Sequence, residues 1–177
     1  VWGKVPMDRQ AALRLCRDIM AQPGCEINAS GENTCYVCTR DAEYLRHMRE
    51  DVGNNTVNLK DPDEIPEEII KVSAYCRQGT AAVITELTER WGALFQVAVA
   101  GARWIDFTVA DKGFGLRLIC RSLGIDPQEV MSFGDNYNDI PILSLAGQPY
   151  IMENAVPELR AMFPRRCRRV EDILQML

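Results

Sequence analysis

The segment Ser132–Ile140, with the sequence SFGDNYNDI, constrains the fold more than any other part of this chain. The apolar run at residues 130–133 ends in a glycine, as is typical of a buried parallel strand. We expect Asn138 or Asp139 to cap the helix that follows, with Pro141 in its first turn. The acidic side chains would then lie at the carboxyl end of a strand, where open α/β sheets bind ligands. Carboxylate oxygens at such a place suit Mg²⁺ and, through the metal, a phosphate.

A lysine at the start of another predicted helix suggests a second part of the same site. The segment Asp111–Gly113 precedes an amphipathic pattern, and we expect four of its residues to face inward: Leu116, Ile119, Cys120 and Leu123. A lysine in the first turn opposes the helix dipole, which favours acidic residues there. Together with the backbone N–H groups of a helix start, however, a lysine can bind an anion. Lys112 is therefore a candidate phosphate-binding residue.

Lys112-Gly113, about twenty residues, and then Gly134-Asp135-x-x-Asn138-Asp139 resembles the third and fourth motifs of the haloacid dehalogenase (HAD) superfamily. Within it, the chain resembles the Cof-type phosphatases. Residues 151–155, Ile-Met-Glu-Asn-Ala, are similar to the Met-Gly-Asn-Ala of that group, with Glu153 in place of the usual glycine. The resemblance implies an α/β fold. Residues 110–177 would form the C-terminal half of a Rossmann-like core, and residues 1–109 an α+β cap domain with an antiparallel sheet.

The resemblance also implies a role for each matching residue. Asp135 would coordinate Mg²⁺, and Lys112 would bind phosphate oxygens and assist catalysis. Asp139 would orient Lys112 or the surroundings of the metal, with helix capping as the structural alternative. Asn138 would donate its amide to the substrate, and Asn154 would lie at the rim of the site. The substrate would be a small phosphorylated metabolite such as a sugar phosphate, and nothing in residues 1–105 identifies it further.

The nucleophile motif of the family is not recognisable in these 177 residues. HAD phosphatases carry an N-terminal DxDGT, whose first aspartate attacks the phosphorus and whose second is the general acid and base. The one Asp-x-Asp here is Asp61-Pro62-Asp63, and its composition favours a loop. We therefore expect the chain to correspond to the C-terminal two-thirds of a Cof-type protein. Alone it would be inactive and would bind Mg²⁺ weakly or not at all.

Two functional classes are compatible with this sequence. The first is a Mg²⁺-dependent phosphatase of which this chain is a part, and the second is a non-catalytic interaction or regulatory module on a HAD scaffold. A HAD phosphomutase needs the same aspartate and is not separable by these motifs. A DxDGT upstream of Val1 in the reading frame would favour the first class, and a chain that begins naturally at Val1 the second.

Composition favours a globular protein of the cytoplasm. A net charge of −5 argues against a general nucleic-acid binder, and no apolar run is long enough to span a membrane. Seven cysteines without a regular framework predict reduced thiols. Cys35 and Cys38 have the spacing of zinc ligands, but no second such pair exists and His47 is the only histidine. We expect both to be small buried hydrophobic residues.

Hydrophobic periodicity predicts hairpins and helices before residue 110 and alternating helices and strands after it. The predicted helices cover 8–21, with Met20 facing inward, and 41–52, 80–91, 112–124, 139–147 and 156–163. The predicted strands cover 25–30, 34–39, 69–75, 94–99, 103–109, 129–133 and 149–152. By the resemblance, strand 129–133 lacks its central neighbour, so its free edge would pair with a missing N-terminal segment or with another copy in a homo-oligomer. Cap residues near the substrate are placed, as a hypothesis, at 76–78 and in the turn at 100–104.

Overall fold

The computed structural model describes residues 4–176, which divide into two compact units with the boundary along the chain between Val109 and Ala110. The first three residues of the predicted cap and the last residue of the predicted core segment lie outside the described residues. Within residues 4–176, no helix combines the length and the apolar character needed to cross a bilayer.

The first unit, residues 4–109, is built on a six-stranded sheet. Its strands are β1 (Cys25–Ser30), β2 (Cys35–Val37), β3 (Thr56–Asn58), β4 (Lys71–Cys76), β5 (Gln96–Val99) and β6 (Trp104–Thr108). They lie in the order β3-β2-β1-β4-β6-β5. Every neighbouring pair is antiparallel except β2 and β3, which run parallel.

Helices cover the apolar positions of this sheet. The three α-helices are α1 (Arg9–Ala21), α2 (Ala42–Arg46, continued by a π-helical turn at His47–Asp51) and α3 (Ile84–Trp91). One core cluster contains inward residues of α1 and α3 together with alternate residues of the strands, such as Ile27 and Phe107. A smaller cluster contains Tyr44 and Met48 with Val37 and Tyr75. The period-2 pattern of the strands therefore divides the apolar residues between two clusters.

Three details of the first unit differ from the sequence predictions. The predicted helix 41–52 changes from α to π hydrogen bonding at His47, and its last residue, Val52, is 43% exposed. Met20, expected to face inward, is 39% exposed because it lies at the solvent-facing edge of the row of apolar side chains on α1. Strand β3 was not predicted, since its three residues are too few to show an alternating pattern.

The second unit, residues 110–176, contains a parallel sheet of three strands. Its strands lie in the order β7 (Met131–Gly134), β8 (Gln148–Met152) and β9 (Arg166–Cys167), so β7 is an edge strand among the described residues. Its α-helices are α4 (Lys112–Leu123), α5 (Ile140–Leu145), α6 (Pro157–Met162) and α7 (Val170–Leu174). The predicted fold class, α/β with a mostly antiparallel sheet ahead of a parallel segment, is confirmed.

Helix α4 buries only half of the residues expected to face inward. Leu116 and Cys120 pack in a cluster with Ala146, whereas Ile119 is 46% exposed and Leu123 is 51% exposed. The neighbouring elements of this unit cover one side of α4, and the 3.6-residue period places Ile119 and Leu123 beyond that side. The helix ends at Gly124, which adopts the left-handed conformation common at helix C-termini.

Candidate functional site

The loop that follows β7 is organised by the carboxylate of Asp139. Asp139 is 6% exposed, and its Oδ2 accepts hydrogen bonds from the backbone N–H groups of Asp135 (3.0 Å) and Asn136 (3.1 Å). Asn136 is the N-cap of a 3₁₀ turn at Tyr137–Asp139, which leads into α5. Asp139, one of the two residues expected to cap α5, occupies its N-cap position, but its side chain makes no capping hydrogen bond to that helix. Asn136 caps the preceding 3₁₀ turn instead, because its side-chain oxygen accepts from the N–H of Tyr137 at 2.8 Å.

Gly134 permits this folded-back position of Asp139. A Cβ atom at residue 134 would lie 2.5 Å from Cβ and 2.9 Å from Cγ of Asp139, closer than packed carbon atoms can approach. The glycine of the Gly-Asp pair is thus required by the close approach of a side chain. The exposed carboxylate of Asp135 is then presented directly at the carboxyl end of β7.

Lys112 and Asp139 form an ion pair, in which the Nζ of Lys112 donates to Oδ1 of Asp139. Burial alone would raise the pKa of Asp139, but the hydrogen bonds from Lys112 and from the two backbone N–H groups outweigh it and hold the pKa below its ordinary value. The side chain of Lys112 is 50% exposed, so it remains accessible from solvent while it forms this ion pair. This contact accounts for a lysine at a helix start, where the dipole disfavours it.

A second glycine sets the separation of the two elements that carry this ion pair. A Cβ atom at Gly113 would lie 2.8 Å from the carbonyl oxygen and 3.2 Å from the Cβ of Pro141, at the start of α5. Helices α4 and α5 therefore approach at a point where only a hydrogen fits. In addition, Asp111 caps α4 by accepting from the N–H of Phe114 at 2.6 Å. The Asp-Lys-Gly sequence thus supplies the cap, the cation and the close contact.

Asp135 is held from the neighbouring strand by Asn154. The Nδ2 of Asn154, in the turn after β8, donates to Oδ2 of Asp135 at 3.1 Å. Because β7 and β8 are parallel, their carboxyl ends meet at one edge of the sheet. The side chain of Asn138 is half-buried and makes no hydrogen bond among the described residues. The structure therefore brings together Lys112 with Asp139 and Asp135 with Asn154.

The residues of this site do not by themselves fit a complete Mg²⁺ site. Within residues 4–176 there is no group of three or more His, Cys, Asp or Glu side chains that could hold a metal ion. Both oxygens of Asp139 are engaged by N–H or ammonium donors, which leaves Asp135 as the one carboxylate of the pair that can bind a cation. Mg²⁺ requires near-octahedral oxygen coordination. Further ligands would be needed to complete that shell.

The Asp-x-Asp sequence at residues 61–63 has a structural role. Asp61 caps a 3₁₀ turn at Pro62–Glu64 by accepting from the N–H of Asp63 at 2.9 Å. Both aspartates also form ion pairs with Arg17 of α1. The segment is thus part of a loop, as its turn-forming composition predicted, and the ion pairs hold this loop against α1.

A polar pocket of about 270 Å³ lies within the first unit, at the ends of β4 and β6. We name it the arginine pocket, and it is lined by Glu43, Tyr44, Arg46, His47, Asp51, Tyr75, Arg77 and Arg103. Arg77 forms ion pairs with Asp41 and Glu26, and Arg103 donates to the hydroxyl of Tyr75 at 3.1 Å. Arg46 and Arg103 have no carboxylate partner in the described part of the chain. Periodicity alone did not reveal this pocket.

The sequence profile of the haloacid dehalogenase-like hydrolases matches residues 4–172. The chain belongs to this family. The ion pair between Lys112 and Asp139 and the exposed Asp135 lie at the motif positions on which the resemblance was based.

Curated relatives that match this chain are named as phosphatases, and two of them carry the name of a small-molecule substrate. It is 26% identical over 152 residues to the 5-amino-6-(5-phospho-D-ribitylamino)uracil phosphatase YbjI of Escherichia coli (strain K12), covering 84% of this chain and 56% of that protein. It is 30% identical over 113 residues to the HMP-PP phosphatase of Serratia proteamaculans, covering 64% of this chain and 37% of that protein. The matched region thus spans 56% of the length of the first relative and 37% of the length of the second.

Solved structures share the fold. SMU.1108c from Streptococcus mutans UA159 superposes with a TM-score of 0.83 at 21% identity, covering 97% of this chain and 68% of that one. The HAD subclass IIB sugar phosphatase BT4131 superposes with a TM-score of 0.78 at 21% identity, covering 98% and 66%. At these identities the likeness establishes the fold, and the chemistry has to be argued from the residues.

Proposed function

We propose that this chain is part of a Mg²⁺-dependent cytoplasmic phosphatase that hydrolyses a small phosphorylated metabolite, such as a sugar phosphate. Residues 110–176 would supply part of the catalytic core, and residues 4–109 would act as the cap. The observation that carries the proposal is the ion pair of Lys112 with Asp139, together with the exposed carboxylate of Asp135 in the loop after β7 that contains Asp139. A non-catalytic module would have no need for a half-exposed lysine held in this way.

Lys112 would bind a phosphate oxygen and reduce the repulsion between an anionic substrate and an attacking carboxylate. Asp139 would act as a positioning residue, because its two oxygens are already occupied by Lys112 and by backbone donors. It would fix both the direction of the lysine and the path of the loop that presents Asp135. Such preorganisation removes the cost of rearranging charged groups during the reaction.

Asp135 would contribute one carboxylate to a Mg²⁺ site whose other ligands lie outside this pair. When bound, the metal would neutralise charge on the transferring phosphoryl group. Asn154 would hold Asp135 in one orientation through its 3.1 Å hydrogen bond. Asn138, whose amide is not engaged by the described residues, would donate to a substrate oxygen.

The arginine pocket would bind an anionic group within the first unit. Arg46 and Arg103 would offer two guanidinium groups that form no ion pair among the described residues, although Glu43 and Asp51 also line the pocket, and Tyr75 would offer an aromatic surface beside them. Guanidinium groups bind carboxylates and phosphates through paired hydrogen bonds. An anionic group would therefore fit this pocket better than a neutral one. Arg77 and Arg103, which belong to the segments 76–78 and 100–104 named in the sequence hypothesis, both line this pocket.

Binding of inorganic phosphate to the 177-residue chain tests the anion site directly. We expect Lys112→Ala to weaken binding at least about tenfold, the loss of one charge-assisted hydrogen bond. Lys60→Ala, which removes an exposed lysine elsewhere, should leave the affinity unchanged and serves as the matched control. Equal affinity of the wild type and Lys112→Ala in calorimetric titrations would contradict the proposed role.

Catalysis is tested in a longer product of the same reading frame, if it encodes an upstream Asp-x-Asp strand. That product should hydrolyse phosphate esters with Mg²⁺, and Lys112→Ala should abolish turnover while leaving the fold intact. Hydrolysis that survives Lys112→Ala, or a longer product without any activity, would favour the non-catalytic module instead.

A further inference from the structure

Two cysteines face each other across neighbouring antiparallel strands of the first unit. Cys25 begins β1 and Cys76 ends β4, and the strand register places them directly opposite each other. Their Sγ atoms lie 3.6 Å apart. Cys25 is 9% exposed and Cys76 is 2% exposed. The two thiols are thus in contact at one end of the sheet, 51 positions apart in sequence.

The hydrogen-bond pattern shows which kind of cross-strand pair this is. The N–H of Arg77 donates to the carbonyl of Gly24 at 3.0 Å, so the preceding pair of positions is hydrogen-bonded. The N–H of Cys76 points the other way and donates to the carbonyl of Arg103 at 2.7 Å. Cys25 and Cys76 therefore form a non-hydrogen-bonded pair, in which opposite Cα atoms are about 4.5 Å apart and side chains approach closely. That separation lies within the range that a disulfide can bridge.

We propose that Cys25 and Cys76 are a redox-active dithiol, which a peroxide oxidises reversibly to a disulfide. In the first step the thiolate of Cys25 attacks one oxygen of hydrogen peroxide. The O–O bond breaks, leaving a sulfenic acid on Cys25, and the released hydroxide takes up a proton to become water. The sulfur of Cys76 then attacks the sulfur of Cys25, forming the S–S bond and expelling a second water. Two thiols lose two electrons and two protons to one peroxide.

The surroundings assign different roles to the two sulfurs. A hydrogen bond with Cys76 lowers the pKa of Cys25, whereas the hydrogen bond with Cys25 and burial raise the pKa of Cys76. The thiolate is the nucleophile in such reactions, and a peroxide in solution reaches the less buried sulfur first, so Cys25 is the sulfur that reacts and Cys76 the one that resolves. Cys25 is also the more accessible of the two.

No other pair of cysteine sulfurs is in contact among residues 4–176. All seven thiols are free, and the other sulfur contacts join Cys35 to Ser30, Cys76 to the carbonyl of Ala74 and Cys167 to Met152. Cys16 is fully buried, and burial raises its pKa to about 12, which makes it a poor nucleophile. Oxidation should therefore be selective for the one pair whose geometry is already set.

The disulfide would lock the backbone beside the arginine pocket. Arg77, which lines that pocket, follows Cys76 directly and is bonded through its N–H to Gly24, the neighbour of Cys25. Oxidation would thus link β1 to β4 covalently at the position next to this hydrogen bond. The dithiol is a separate feature from the phosphate site and does not depend on the proposed phosphatase activity.

The test is limited oxidation of the folded 177-residue chain with hydrogen peroxide, followed by blocking of the remaining thiols and peptide mass mapping without reductant. We expect two of the seven thiols to be lost, a linked peptide that contains Cys25 and Cys76, and full recovery of both thiols with dithiothreitol. Cys25→Ser should form no intramolecular disulfide. Cys120→Ser, which removes a buried thiol of the second unit, should form the same linked peptide as the wild type.

Retention of seven free thiols, at a peroxide dose that oxidises a free small thiol to completion, would overturn the proposal. So would a disulfide between other cysteines formed to an equal extent. Mapping of the wild-type chain requires no substitution, so these outcomes are decisive even if Cys25→Ser does not fold. Circular dichroism before oxidation establishes that the chain tested is folded.

Discussion

The ammonium group of Lys112 donates to the carboxylate of Asp139, which lies 27 residues further along the chain and is almost fully buried. The other oxygen of the same carboxylate holds the backbone of Asp135 and Asn136. One side chain therefore joins the start of α4 to the loop after β7. The consequences of this connection can be measured without any knowledge of the substrate.

Gly113→Ala and Gly115→Ala should change stability in opposite directions. Both glycines lie in the first turn of α4, but a Cβ atom at residue 113 would meet the carbonyl oxygen of Pro141 at 2.8 Å, whereas nothing lies within 4 Å of one at residue 115. We expect Gly113→Ala to destabilise the chain by about 1–3 kcal/mol through overpacking. Gly115→Ala should stabilise it by about 0.5–1 kcal/mol through helix propensity. Urea unfolding of both variants measures the difference, and a stabilising Gly113→Ala would refute the close approach.

Asp139→Asn should cost about 1–3 kcal/mol in the free energy of unfolding near neutral pH, because Lys112 and two backbone donors lose an ionised acceptor. The cost should depend on pH with a defined sign. The pKa of Asp139 is lower in the folded chain than the unperturbed value near 3.9, so its ionised form stabilises the fold above about pH 4. That contribution is lost as the pH falls through the lower pKa of the folded state.

Unfolding curves of the wild type and Asp139→Asn between about pH 2.5 and 7 test this dependence. The difference between the two proteins should be largest at neutral pH and should shrink as the solution becomes more acidic. Asp172→Asn is the matched control, since it removes an exposed carboxylate of the same unit. A difference that stays constant down to the lowest pH would show that the ion pair is not the source of the effect.

The free edge of β7 should make the isolated chain self-associate. Among the described residues β7 pairs with β8 on one side only, and the buried hydroxyl of Ser132 has no hydrogen-bond partner. Unpaired strand edges recruit other strands, and a lysine at an edge blocks this. We expect multi-angle light scattering to show oligomers that Met131→Lys reduces. Met162→Lys, at an exposed methionine of α6, should leave them unchanged. A monodisperse monomer of the wild-type chain would contradict the prediction.

The 177-residue chain by itself should not hydrolyse p-nitrophenyl phosphate in the presence of Mg²⁺. Covalent phosphoryl transfer needs a carboxylate nucleophile, and the only Asp-x-Asp of the sequence is occupied by a 3₁₀ cap and by Arg17. Loss of a nucleophile lowers rates by about 10⁴-fold or more. Homogeneous protein whose hydrolysis exceeds that of an Asp135→Ala control would show that a nucleophile is present after all.

Local sequence determined the elements and the motif positions. The alternating pattern of β6 and the apolar run of β7 predicted their strands, and Asp111-Lys112-Gly113 predicted the start of α4, because each signal lies within a few neighbouring residues. The same holds for the loop at Asp61-Pro62-Asp63, where turn-forming residues decide the conformation. Membership of the HAD family also followed from the two motifs.

Only the tertiary structure decided which side chains meet. The partner of Lys112, the hydrogen bond of Asn154 to Asp135, and the contact of Cys25 with Cys76 each join residues that the sequence separates by 19 to 51 positions. Strand order and helix packing fix these separations, and neither is a property of a local pattern. The capping by Asn136 and the exposure of Ile119 and Leu123 were missed for the same reason. A sequence states which residues can cap a turn or face a core, whereas the packing of distant elements selects the ones that do.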